Sequence, residues 1–139
     1  MSRITNIADC IKIKLPKVEN PMGNLSAITG EDTIPFPIKR VYYLYDVPGG
    51  EERGGHAHRG LYQLIVAASG SFDVELFDGK EKRTISLNRP YDALLMQPGI
   101  WRELKNFSSG SICLVLASEQ YDELDYIRDL KEFIAYKDA

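Results

Sequence analysis

Short runs of alternating apolar and polar residues, each closed by glycine, proline or an Asp-Gly pair, fill most of this chain. Such a pattern constrains the fold more than any other feature, because a period of two places one apolar face on each strand. Ile11 to Leu15 alternates apolar and charged residues and stops at Pro16. Ile38 to Tyr45 is β-branched and aromatic and lies between Pro35/Pro37 and Pro48-Gly49-Gly50. Leu61 to Ala68, Phe72 to Phe77 and Arg83 to Leu87 follow, with Asp78-Gly79 read as a two-residue hairpin turn. Further strands are expected at Ala93 to Met96, Trp101 to Leu104 and Ser111 to Ala117. Only the C-terminus looks helical, with Leu124, Ile127, Leu130 and Ile134 recurring at spacings of three and four. Many strands at roughly 8–12-residue spacing imply an all-β sandwich or barrel. The helix is expected outside it or against a partner subunit.

At 139 residues, the chain reads as one domain spanning 1–139. Its 44% apolar and 27% charged residues are ordinary for a globular protein. A net charge of −3 gives no support to nucleic acid or an anionic membrane as partner. The longest uninterrupted apolar run, Ile112 to Ala117, is far below the roughly 20 residues of a spanning helix. No targeting signal is visible at the N-terminus, so a cytoplasmic location with reduced cysteines is expected. The two cysteines exclude a four-thiolate zinc site, and the two histidines exclude a three-imidazole metal site.

Both histidines fall in one segment, Arg53-Gly54-Gly55-His56-Ala57-His58. On a strand His56 and His58 share a face, so their imidazoles can converge on one small volume. The spacing from Gly50 through His56, His58 and Gln63 to Gly70 resembles the first cupin motif, with Gln63 in place of its glutamate. Pro98-Gly99-Ile100-Trp101-Arg102, followed by Asn106, partly matches the second motif, with Arg102 where a metal-binding histidine would stand. Ile34 to Tyr43, the histidine segment, Trp101-Arg102-Glu103-Leu104 and Leu116 to Arg128 narrow the resemblance to the dTDP-sugar 3,4-ketoisomerases.

This resemblance implies a jelly-roll-like cupin β-barrel with a short C-terminal helix. It also implies an isomerase that turns dTDP-4-dehydro-6-deoxy-D-glucose into a dTDP-3-dehydro-6-deoxy-hexose, supplying deoxysugar or aminosugar biosynthesis. The implied assembly is a homodimer, in which N-terminal strands can be exchanged between subunits. An amide and a guanidinium are poor company for a divalent ion, so neither metal nor other cofactor is expected. An imidazole titrates near pH 6.5 and suits the proton transfers of a migrating carbonyl. By resemblance, His56 is the C3 base and His58 the shuttle between oxygens. Tyr42 and Arg102 complete the catalytic set, and the resemblance at Arg102 points to the gluco product. Arg40 and Arg53 are expected on the diphosphate, with Gln63 and Trp101 as further substrate contacts.

Plainer readings stand beside these. The histidine pair could be structural, the arginines surface ion pairs, and Trp101 a core packer. Gln63 could orient a histidine, and Arg102 could pair with Glu103. A sugar-nucleotide epimerase on the same fold, or a non-catalytic sugar-nucleotide-binding cupin, would use many of the same residues.

Overall fold

Alternation along each strand sorts the apolar side chains into an inner set and two outer sets. The computed structural model describes residues 2–139, with the backbone alone for Arg53 and Gly54. Its strands are β1 (Ile11–Lys14), β2 (Arg40–Leu44), β3 (Arg53–His58), β4 (Gln63–Ser69), β5 (Phe72–Phe77), β6 (Lys82–Leu87), β7 (Asp92–Met96), β8 (Trp101–Lys105), β9 (Ile112–Ala117) and β10 (Tyr126–Ile127). One helix, α1 (Leu130–Asp138), follows. Two five-stranded antiparallel sheets result, in the orders β1-β7-β4-β9-β2 and β10-β3-β8-β5-β6. This is the all-β architecture expected from the strand pattern, in the jelly-roll-like form that the resemblance implies.

Ile65 and Ala67 of β4, Leu94 and Met96 of β7, and Cys113 and Val115 of β9 meet Val74, Leu76, Ile85, Leu87 and Leu104 of the opposite sheet. These residues form the core between the sheets. Leu64, Val66, Leu95 and Leu116 point the other way and are covered by Leu15, Ile34 and Phe36. On the far side, Ala57, Trp101, Ile127 and Phe133 form a third cluster, which fixes α1 against the second sheet. Core and helix docking both follow from period-two alternation combined with apolar burial.

Two local expectations change. Asp78 faces Glu81 across the β5–β6 turn, so Gly79 and Lys80 are its central residues, one position later than read. The Asp78 carboxylate accepts the N–H groups of Lys80, Glu81 and Ile7, and Gly79 takes φ +98°. A capping aspartate, rather than a central one, therefore builds the turn. The helix also begins later than the Leu124–Ile134 periodicity predicts. Asp129 caps it by accepting the Glu132 N–H, and Phe133 is its buried anchor, whereas Leu130 and Ile134 are exposed. Ile127 is buried because Tyr126-Ile127 pairs with His58-Ala57 as a strand. Strand pairing satisfies the backbone groups there, and helical spacing alone could not foresee it.

Candidate active site

Arg40 and Tyr42 lie on the same face of β2, as alternation requires, while Val41 and Tyr43 are exposed on the other. Ala117 of β9 pairs with both Arg40 and Gln63, so β2 and β4 flank it on either side. From the opposite sheet, His56 pairs with Arg102 across β3 and β8. A cavity of about 450 Å³ opens between these strands. Arg40, Tyr42, His56 and Arg102 line it, together with Tyr121, Tyr126 and Arg128 from the segment before α1.

The two imidazoles are buried, with Nε2 atoms 3.2 Å apart and ring planes nearly perpendicular. His58 turns its Nδ1 to the Asp125 carboxylate at 3.0 Å. Its carbonyl accepts the Gly99 N–H at 2.7 Å, and Gly99 holds a φ of +79° to make that approach. The Tyr126 ring covers both imidazoles, with centroids at 5.0 Å from His56 and 4.3 Å from His58. Tyr126 is also a wall. His56 faces the larger cavity, and His58 faces a smaller one of about 180 Å³ that Arg40 and Tyr126 share. The Arg128 guanidinium stacks on the Tyr126 ring at 4.1 Å.

Tyr42 is held by two donors. Gln63 Nε2 donates to its hydroxyl at 3.0 Å and Arg102 Nη2 at 3.1 Å. With both lone pairs taken, the remaining Tyr42 O–H is free to donate into the cavity. Arg102 is buried, and its Nε and Nη1 have no hydrogen-bond partner among the described residues; the same holds for Arg40 Nε. Unpaired guanidinium N–H groups are costly to bury, so an anion or a developing oxyanion in the cavity would offset that cost.

Burial is the main reason that the His56 pKa falls, to about 2, with the Arg102 charge second. Burial and Arg102 also lower His58, while Asp125 acts in the opposite direction. Both imidazoles are therefore neutral at pH 7, the state a general base requires.

Cupins commonly carry a divalent metal at the position of these histidines. The residues here do not fit one. Arg102 Nη2 stands 3.3 Å from His56 Nε2, placing a permanent positive charge where a cation would bind. Gln63 uses its amide N–H on Tyr42 and, among the described residues, makes no hydrogen bond to either histidine.

Several expected site residues fall elsewhere. Trp101 precedes Arg102 on β8 and so faces outward, into the cluster under α1, with its indole N–H on Glu103 at 3.0 Å. Alternation forbids Trp101 and Arg102 from sharing a cavity, which corrects the substrate-contact assignment for Trp101. It also leaves Arg102 without the Glu103 pairing that the plain reading allowed. Gln63 lies behind Tyr42 rather than on the cavity wall. The Arg53 side chain lies outside the described residues. Conversely, Asp125, Tyr126 and Arg128 were not singled out for the site, although Leu116 to Arg128 carries part of the resemblance. Their only signal was that stretch's density of aromatic and charged residues.

A jelly-roll barrel that buries two imidazoles beside a cationic cavity fits the proton-transfer site that the resemblance implies. The family model described as "FdtA: WxcM-like, C-terminal" matches residues 8–138. The TDP-4-oxo-6-deoxy-alpha-D-glucose-3,4-oxoisomerase of Aneurinibacillus thermoaerophilus is 44% identical over 124 residues, 89% of each chain. The sugar 3,4-ketoisomerase QdtA of Thermoanaerobacterium thermosaccharolyticum, solved with TDP, superposes with a TM-score of 0.93 at 38% identity, covering 96% of this chain and 97% of that one. The WlaRB TDP-quinovose 3,4-ketoisomerase of Campylobacter jejuni gives 0.88 at 43%, covering 93% and 99%. The chain belongs to the dTDP-sugar 3,4-ketoisomerase family of the cupin superfamily.

Proposed function

We propose that residues 1–139 act as one cupin domain that moves the carbonyl of dTDP-4-dehydro-6-deoxy-D-glucose from C4 to C3. The observation that carries this reading is the 3.2 Å approach of the His56 and His58 Nε2 atoms beside Arg102 and Tyr42. His56 takes the proton from C3, which the adjacent ketone acidifies, and the C–H electron pair becomes the C3–C4 double bond. Negative charge grows on the C4 oxygen, where Arg102 and the Tyr42 O–H meet it. His58 carries the O3 proton to the C4 oxygen. The O3 electrons then close the new C3 carbonyl, and the double-bond pair takes the proton back at C4. Oxidation and reduction stay within one molecule.

Arg40 and Arg53 hold the diphosphate, Arg40 from the wall that both cavities share. The C4 proton arrives on the face that gives the gluco product. Arg102 at the cavity wall and the 43% identity to the TDP-quinovose isomerase support that configuration. In D2O, NMR will show deuterium at C4 and a new carbonyl at C3, with gluco coupling constants. Inversion at C5 with the carbonyl still at C4 would make the enzyme an epimerase, and dTDP binding without any exchange would make it a binding protein.

Two chains form the working unit in this reading. Val41, Tyr43 and Tyr45 leave an apolar strip exposed along the β2 edge, an area that a second subunit would cover. Sedimentation velocity is expected to return about twice the 15.7 kDa chain mass, and a 15.7 kDa species at micromolar concentration would refute the dimer. A cytoplasmic setting is consistent with the free, buried thiols of Cys10 and Cys113. Among the described residues no helix is long and apolar enough to cross a membrane.

A further inference from the structure

His58 and Asp125 meet across 67 positions of sequence, and the aspartate is immobilised from several directions. Its Oδ1 accepts the Gly60 N–H at 2.7 Å, while its Oδ2 faces His58 Nδ1 at 3.0 Å. Its backbone carbonyl accepts the Arg59 N–H at 2.9 Å, and its own N–H closes a turn onto Asp122 at 3.0 Å. The next two residues then pair with His58 and Ala57 as β10. The loop after the histidine strand and the segment before α1 thus grip one carboxylate.

A carboxylate only accepts hydrogen bonds, so the ring nitrogen facing it must carry the hydrogen. His58 Nδ1 is therefore protonated, and its Nε2 presents a lone pair to the site. Arg102 Nη2, which can only donate, stands 3.3 Å from His56 Nε2, so that nitrogen also presents a lone pair, as the C3 base requires.

We propose that Asp125 is a positioning residue that locks His58 in the Nδ1–H tautomer and so sets the direction of its shuttle. This rests on the isomerase reading above. His58 must accept first: its Nε2 lone pair takes the O3 proton while the O–H electrons stay on O3. The resulting imidazolium sits against Asp125 until the same proton passes to the C4 oxygen. The cycle returns His58 to its starting tautomer, with no net proton gained or lost.

Gly60 makes the test sharp. In Asp125→Asn the Gly60 N–H still needs an acceptor, so the amide oxygen takes that side and the NH2 turns toward His58 Nδ1. The ring must then accept at Nδ1 and carry its hydrogen on Nε2. Long-range 1H–15N NMR of the two histidines is expected to show Nδ1–H at His58 in the native protein and Nε2–H in the variant. Turnover should fall by about 100-fold or more with KM changed less than about threefold, the signature of a wrong tautomer in an intact site. A native His58 protonated at Nε2 overturns the proposal without any variant. So does an Asp125→Asn protein that switches tautomer yet keeps turnover within threefold. Failure of the native protein to isomerise the sugar would instead overturn the functional reading, because the ring-nitrogen measurement decides the tautomer independently of turnover.

Discussion

His56→Asn and His58→Asn each lower turnover by about 10²- to 10⁴-fold, the usual contribution of a positioned general acid or base, while dTDP still binds. Asparagine keeps a polar group in each buried position, so loss of turnover reports loss of the titrating imidazole. The same variants change how stability depends on pH. Burial, with Arg102 adding to it, holds both imidazoles below the value near 6.5 that they take in the unfolded chain. The unfolded chain therefore binds protons that the folded one refuses once the pH drops below about 6.5. Stability from the neutral imidazoles is complete above that pH and declines below it, by up to about 1.4 kcal/mol per pH unit for each. Denaturant titrations at pH 5, 6 and 7 are expected to give a steeper acid loss for the native protein than for either variant. Equal slopes would mean that the folded protein protonates these rings normally. Near-normal turnover in either variant would remove that residue from the mechanism.

Arg102→Met separates catalysis from stability. Methionine keeps much of the side-chain length and removes the charge. Its loss takes a donor from the forming C4 oxyanion, and turnover falls by about 10²–10³-fold. Stability moves the other way. The buried guanidinium leaves Nε and Nη1 without partners among the described residues, and replacing such a charge by an apolar side chain is neutral or stabilising. Thermal unfolding is thus expected at an unchanged or higher temperature. Both imidazole pKa values should rise in the same variant, because the Arg102 charge helps to lower each. A protein that keeps its turnover, or unfolds far below the native temperature, would show Arg102 to be structural. Strain of this kind, an unsatisfied cation kept because function needs it, is where a stability cost is expected.

Much of this site was legible in the sequence because strand alternation is a local property. Once His56 and His58 lie on a strand, their common facing follows from the backbone, as does that of Arg40 and Tyr42. The same rule, applied consistently to β8, separates Trp101 from Arg102. Gln63 at the motif's acid position and Arg102 at its last imidazole position already indicated a cavity unsuited to metal. Their attachment to Tyr42 was not readable, since β4 and β8 reach that hydroxyl from different sheets.

Residue order by itself determined the strands before Tyr126, their facing and the pairing of imidazole with guanidinium chemistry, because each depends on side chains a few positions apart. Only the tertiary structure decided that Asp125 holds His58, that Tyr126 lies over both rings, and that α1 starts at Leu130 rather than near Leu124. The physical reason is shared. Tyr126-Ile127 gains its backbone hydrogen bonds from β3, so an apparent helical repeat becomes a strand, and that strand delivers the carboxylate to the histidine. The opening alternation predicted a sandwich or barrel. The long-range pairing at its edge made the imidazole pair directional.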